Sequence, residues 1–170
     1  MEHRGAKVIP RANRISWSGR FVSLPAHRSR YWIGVASREH VLTGVRGGFA
    51  QFSHGKRGPV TRLSKGDWVI YYSGKERYGE PEPCQRFTAI GRVADSAPEQ
   101  IEQRPGFKPW RRKVVYRTAE EVDIRPLIKR LSFIKNKTKW GAAFRFGFLE
   151  IGAADFDRIA SRMLLSRNKQ

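Results

Sequence analysis

Lys65-Gly66-Asp67-Trp68-Val69-Ile70-Tyr71-Tyr72-Ser73-Gly74 is the stretch on which the fold turns. Gly66-Asp67 makes a turn, and the residues that follow are β-branched or aromatic as far as Ser73. No polar residue interrupts Trp68 to Tyr72, so the pattern predicts a strand covered on both faces. A central strand of a small mixed barrel has that environment: one face fills the interior and the other meets packed helices. Its expected partner is Phe87-Thr88-Ala89-Ile90-Gly91-Arg92-Val93, reached through an exposed loop that holds Gly79, Pro81 and Pro83.

Upstream, Tyr31-Trp32-Ile33-Gly34-Val35-Ala36 reads as a strand, with Gly34 marking a close backbone approach. Ser37 is a good N-cap for a helix from Arg38 to Val45, which Gly47-Gly48 ends. Phe49 to Phe52 runs extended, and Pro59 suits the first turn of a short helix ending near Ser64. Downstream, Arg111 to Thr118 alternates as a strand, and Val122 to Ile124 adds a short one. Pro126 opens a helix with Leu127, Ile128, Leu131 and Ile134 on one face. Phe144 to Ile151 reads as the last strand and about Ala154 to Leu165 as a terminal helix. The fold class is therefore α+β, a small barrel with short surrounding helices.

Residues 1–29 do not share this pattern. They hold seven basic residues with Arg30, against the single acid Glu2, and two prolines break any long helix. The expectation is a basic, mostly disordered arm, which either folds on a polyanion or is upstream sequence brought in by a start codon set too early. The chain as a whole has 34 Lys and Arg against 15 acids, a net charge of +19. Such an excess favours nucleic acid first and an acidic membrane surface second. The lone Cys84 excludes an internal disulfide and fits a reducing cytoplasm. No apolar run approaches the ~20 residues that a membrane span needs, and the N-terminus lacks the apolar core of a secretory signal. Oligomeric state is open, with a monomer favoured.

The chemistry-bearing residues exclude several enzyme classes. There is no His-Glu-x-x-His, no Cys-x-x-Cys and no acidic cluster, so no metal or other cofactor is expected. Instead, Ser37, His40, Gln51, Phe52 and His54 gather on the first helix and the loop after it. Reading a base takes a flat apolar wall and a polar group on the base edge. Ser37, Gln51 and His54 are the expected edge contacts, with His40 behind them. Phe52, Tyr72 and Trp110 are the expected walls, with Ser73 at the rim. One stacked base is worth roughly 1–3 kcal/mol. The alternative is that Phe49, Phe52 and one of Tyr71 and Tyr72 are ordinary core, because a barrel must be filled. Lys56 and Arg57 lie in a compact Gly-flanked loop suited to a phosphate. Arg112 and Arg145 complete the expected backbone contacts.

These residues also carry a family resemblance. Tyr31 to Ser37, His40-Val41, Gly47-Gly48-Phe49-Ala50-Gln51 and His54-Gly55-Lys56 resemble an EVE domain. Gly66-Asp67 with Tyr71-Tyr72-Ser73, Phe87 to Val93, and Phe107-x-Pro109-x-Arg111-Arg112 continue the match. Leu131 to Ile134 and Trp140-Gly141 before Phe144 to Gly147 complete it. The resemblance spans residues 30–170 and implies a PUA-like fold similar to YTH and ASCH domains. It implies a nucleic-acid-binding module, DNA or RNA, that reads a modified or flipped base. The segment Phe49 to Phe52 lacks the cage tryptophan of YTH domains, which disfavours an identical methyl-adenine cage. ASCH relatives suggest a second function, a metal-independent ribonuclease using Lys56 with Tyr72 and Ser73 or His54. A third is an accessory protein that binds a small ligand or anion.

Overall fold

A computed structural model describes residues 28–164 of the chain. Most of the arm expected at residues 1–29, and the end of the terminal helix at Leu165, lie outside the described residues. The strands are β1 (Tyr31–Val35), β2 (Phe49–Ala50), β3 (Trp68–Lys75), β4 (Pro83–Val93), β5 (Glu99–Gln100), β6 (Trp110–Tyr116), β7 (Val122–Asp123) and β8 (Phe148–Ile151). The α-helices are α1 (Arg38–Gly47), α2 (Arg57–Thr61) and α3 (Ala153–Leu164). The main sheet runs β2-β6-β4-β3-β1-β8, with β5 added to β6 and β7 to β4. Among the described strands only β1 and β3 pair in parallel, the chain crossing between them through α1, β2 and α2. This is the α+β architecture expected from the sequence: a sheet curled into a half-barrel with few short helices.

β3 is central, and alternate residues feed two cores. Ile70 and Tyr72 join a cluster with Ile33, Phe87, Ile90, Leu127, Leu131 and the α3 residues Ile159 and Met163. Val69 and Tyr71 join the other, with Trp32, Val41, Phe52, Val60, Leu63, Val114 and Phe148. The double covering follows from the unbroken apolar run, since a strand with one wet face would alternate with polar residues. Gly34 pairs with Tyr71 across the parallel ladder. A Cβ there would come within 2.4 Å of the Phe52 ring and 2.8 Å of the Tyr71 ring. The glycine is therefore required by packing, as its place in an apolar strand suggests.

The clamp between β1 and β3 is Asp67, which is fully buried. Its carboxylate accepts the backbone N–H of Arg30, the indole N–H of Trp32 and the backbone N–H of Ser64, each at 3.0 Å.

Several elements differ from expectation. Phe144 to Ile151 is not one strand: a 3-10 turn covers Trp140–Phe144, and β8 starts only at Phe148. Gly147 has φ +75° and donates to the Phe144 carbonyl at 3.1 Å. That left-handed turn swings Arg145 and Phe146 off the sheet. The segment from Pro126 forms a 3-10 turn, Arg125–Arg130, although Leu127, Leu131 and Ile134 are buried as the spacing predicts. α2 starts at Arg57 rather than Pro59. β5 is polar and shows no strand pattern; it is set by pairing with β6.

The barrel is not closed by hydrogen bonds. β2 and β8 end the strand order and do not pair. Side chains fill the seam instead, with Phe52 packed on Phe148 at 4.6 Å and on Tyr71 at 5.5 Å between ring centroids. Two clusters of buried side chains occupy the interior, and open space lies at the rim beside this seam.

Candidate functional site

A cavity of about 720 Å³ opens where the ends of β1 and β2 meet the chain entering β8. That volume is in the range of small-ligand sites. Val35, Ala36 and Ser37 come from the end of β1, and His40 from the first turn of α1. Gln51, Ser53, His54 and Lys56 follow β2, and Arg145, Phe146 and Gly147 precede β8. Tyr78, from the β3–β4 loop, and Gln103, Arg104 and Phe107, from the connector before β6, complete the lining. Among the described residues no carboxylate lines it.

The polar groups of this cavity are largely uncommitted. Ser37 is the N-cap residue of α1, and its carbonyl accepts the Val41 N–H at 3.0 Å. Its hydroxyl makes no capping bond, so it is spare. Gln51 is almost buried, and both sides of its backbone are held by the Tyr71 hydroxyl, which accepts from its N–H at 3.1 Å and donates to its carbonyl at 2.9 Å. Its side-chain oxygen accepts from Arg111 Nε at 3.0 Å.

The lip of the cavity is strained. Ser53, His54 and Gly55 all have positive φ, at 47°, 58° and 79°. Two consecutive non-glycine residues in the left-handed region cost about 1–3 kcal/mol each, and such segments concentrate at functional sites. Gly55 is also the only residue that fits, since a Cβ there would come within 2.3 Å of Pro109. The sequence shows this loop only as Gly-flanked and basic.

Aromatic and cationic groups alternate around the mouth. Arg145 lies over the Phe146 ring at 4.9 Å, and Arg104 over Phe107 at 5.0 Å. His54 meets Tyr78 edge-on at 5.7 Å. Phe146 and Tyr78 are 76% and 82% exposed, far beyond what packing would leave for such rings. Among the described residues, no acid pairs with Lys56, Arg57, Arg104 or Arg145. On the other side of α1, by contrast, Arg38 and Arg77 are matched by Glu76, Glu121 and Glu80.

The expected site residues divide accordingly. Ser37, His40, Gln51, His54, Lys56 and Arg145 are brought together. Phe52 is core, closing the seam, and not a pocket wall. Tyr72 faces the opposite cluster, stacked on Phe144 at 3.9 Å. Ser73 is fully buried and shares a 2.8 Å hydrogen bond with Thr88. Trp110 lies beneath Arg57 at 5.0 Å and is outside the cavity lining. Arg57 itself is exposed at the adjacent surface. Arg112 is 1% exposed and wholly internal, donating to Asp95 Oδ1 at 2.6 Å and to the carbonyls of Val60, Leu63 and Asp95. It organises α2 against β6 and offers nothing to a phosphate. Of the ribonuclease set, Lys56 and His54 line the cavity, whereas Tyr72 and Ser73 face the core. Tyr78, Arg104, Phe107 and Phe146 line the cavity beyond the residues expected from the sequence, and Arg111 supports Gln51. The cation-beside-aromatic pairs Arg104 to Phe107 and Arg145-Phe146 are the sequence signal for three of these, and Tyr78 and Arg111 have none. Among the described residues no cluster of metal ligands occurs, and no helix is long and apolar enough to cross a membrane.

His40 is held below the ordinary imidazole value, first by burial and then by the positive charges of Arg111 and His54. The unfolded chain therefore binds more protons than the folded one as pH falls through about 6.5. Stability is full above that value and declines below it, towards the depressed folded value. Urea unfolding at pH 7.5 and 5.5 is expected to show a loss on the acid side that His40→Gln reduces. An unchanged difference in that variant would refute the assignment.

The EVE domain family profile matches residues 30–162. The chain is 48% identical over 133 residues to a UPF0310 protein of Mycolicibacterium vanbaalenii, covering 78% of this chain and 92% of that protein. It is 38% identical over 135 residues to the UPF0310 protein YdcG of Bacillus subtilis, covering 79% and 92%. Among solved structures, a crystal structure of a Pseudomonas putida protein superposes with a TM-score of 0.51 at 14% identity, covering 77% of this chain and 97% of that one. The NMR structure of Rpa0253 from Rhodopseudomonas palustris gives 0.50 at 12%, covering 81% and 95%. Those two likenesses concern the fold alone. The profile match and the curated relatives go further: the chain belongs to the EVE domain family.

Proposed function

We propose that this protein is a nucleic-acid-binding module that takes one modified or flipped base into the rim cavity. The observation that carries the proposal is the combination, among the described residues, of uncommitted polar groups, exposed rings and cations without an acidic partner around one opening. A base in the cavity meets Ser37, His40, Gln51 and Ser53 at its edges. Phe107, Phe146 and Tyr78 offer faces for the base or its neighbours, each stacked base contributing roughly 1–3 kcal/mol. Lys56, Arg57, Arg104 and Arg145 track the phosphates.

The EVE family and the PUA-like fold are compatible with such a module. The tool is fluorescence anisotropy on single-stranded oligonucleotides with and without a modified base, each over a salt series. Four phosphate contacts predict that log K falls with log salt at a slope of about −3. A preference for the modified strand that persists at high salt supports base reading. Equal affinity for both strands, with the same slope, would leave backbone binding and remove the base claim.

A further inference from the structure

Gln51 is the deepest polar group of the cavity, and its amide has only one allowed orientation. A guanidinium has donors and no acceptor. Arg111 Nε therefore fixes the amide with Oε1 inward, at 3.0 Å, and the Nε2 group the other way. Arg111 is itself immobilised: it is 9% exposed, and its guanidinium lies over the Phe49 ring at 3.8 Å. Tyr71 holds the Gln51 backbone from the other side through two hydrogen bonds, at 3.1 and 2.9 Å. Among the described residues Nε2 has no hydrogen-bond partner, and it is not sealed from solvent, since no buried side-chain nitrogen or oxygen lacks a partner. It is a fixed donor presented to the cavity.

We infer that Arg111 sets the hydrogen-bond polarity of the pocket, making Gln51 a dedicated donor that selects a base by a carbonyl oxygen. This rests on the base-pocket function proposed above. A free glutamine could flip its amide and serve an acceptor or a donor equally well. Locked by Arg111, it repels an exocyclic amino group, because two donors then face each other and both lose water. The ligand class is a base with a keto group on the edge it turns inward, as uracil and guanine have where cytosine and adenine carry an amine. Arg111 touches no ligand in this scheme; it is a positioning residue.

The test uses the full chain and single-stranded oligonucleotides that differ only in one central base, U, C, G or A, read by fluorescence anisotropy at fixed salt. The wild type is expected to favour U over C and G over A by about tenfold, the value of one hydrogen bond of this kind. Gln51→Glu keeps the contact to Arg111 but replaces the donor by an acceptor, so the preference is expected to invert. Arg111→Met frees the amide and is expected to flatten the ratio towards one. Because Arg111 is buried, that variant carries weight only with a native circular dichroism spectrum. Gln51→Glu decides the question alone if it does not have one. A wild-type preference for C and A, or a U-to-C ratio that Gln51→Glu leaves unchanged, overturns the inference and leaves the base pocket standing. Four equal affinities, insensitive also to Ser37→Ala and Phe146→Ala, would overturn the base pocket itself.

Discussion

The variant carrying Lys56→Ala, Arg104→Ala and Arg145→Ala is expected to bind a single-stranded oligonucleotide about 100- to 1000-fold more weakly than the parent at low salt. Its unfolding midpoint is expected to stay where it was. All three side chains are exposed, and none pairs with an acid among the described residues. Removing them therefore breaks nothing that holds the fold. Hydrogen bonds to charged groups are worth about 1.5–3 kcal/mol each, with rim exposure pulling towards the lower figure. The salt slope should fall with affinity, from about −3 to below −1 in magnitude, as three of four phosphate contacts vanish. A matched control is Arg38→Ala with Arg77→Ala, whose parents already face Glu76, Glu121 and Glu80. That pair is expected to leave binding nearly unchanged. Equal losses in both variants would mean that net charge, rather than the rim of this cavity, attracts the polyanion.

The fold was legible because its centre is written in the crudest available code. An unbroken run from Trp68 to Tyr72 implies burial on both sides, and two cores do cover it. Gly34 was legible for a similar reason, as an apolar strand gives up a side chain only where space is short. The last strand was misjudged because Phe144 to Ile151 alternates well enough on paper. The φ of +75° at Gly147 is a tertiary fact, fixed where Val35 donates to the Gly147 carbonyl at 2.9 Å. The site divided along the same line. Small polar residues near turns, such as Ser37, Gln51 and His54, have few internal uses, and the three line one cavity. Aromatics have two uses, and sequence cannot choose between them. Phe52 and Tyr72 went to the core, whereas Phe146 and Tyr78 stayed outside. Neighbouring Arg111 and Arg112 show the same ambiguity for charge, one orienting a pocket amide and the other internal to α2 and β6.

Asp67→Ala is expected to be among the most destabilising single substitutions in the described fold, at about 2–4 kcal/mol, because it removes the charged acceptor of three neutral donors, one buried and two half-buried. The Arg30 N–H, the Trp32 indole N–H and the Ser64 N–H all point at this carboxylate, each at 3.0 Å. Without it the Trp32 indole N–H is left unsatisfied in the core, at about 1–3 kcal/mol, and the two half-buried backbone N–H groups lose a charged acceptor. A domain of this size has about 5–15 kcal/mol in hand, so the loss is a large share. Asp67→Asn separates charge from shape. The amide keeps the volume but turns an NH₂ towards donors, so at least one acceptor is replaced by a clash of like groups. It is therefore expected to recover only part of the loss. The damage should also reach the cavity. Asp67 joins the start of β1 to the start of β3, and β1 is the strand that delivers Ser37 to the rim. Urea unfolding followed by far-UV circular dichroism gives the stability of the whole fold, free of the overlapping signals of the five tryptophans. A loss below about 1 kcal/mol in Asp67→Ala, the range of a single ordinary hydrogen bond, would show that the β1–β3 pair does not depend on this carboxylate.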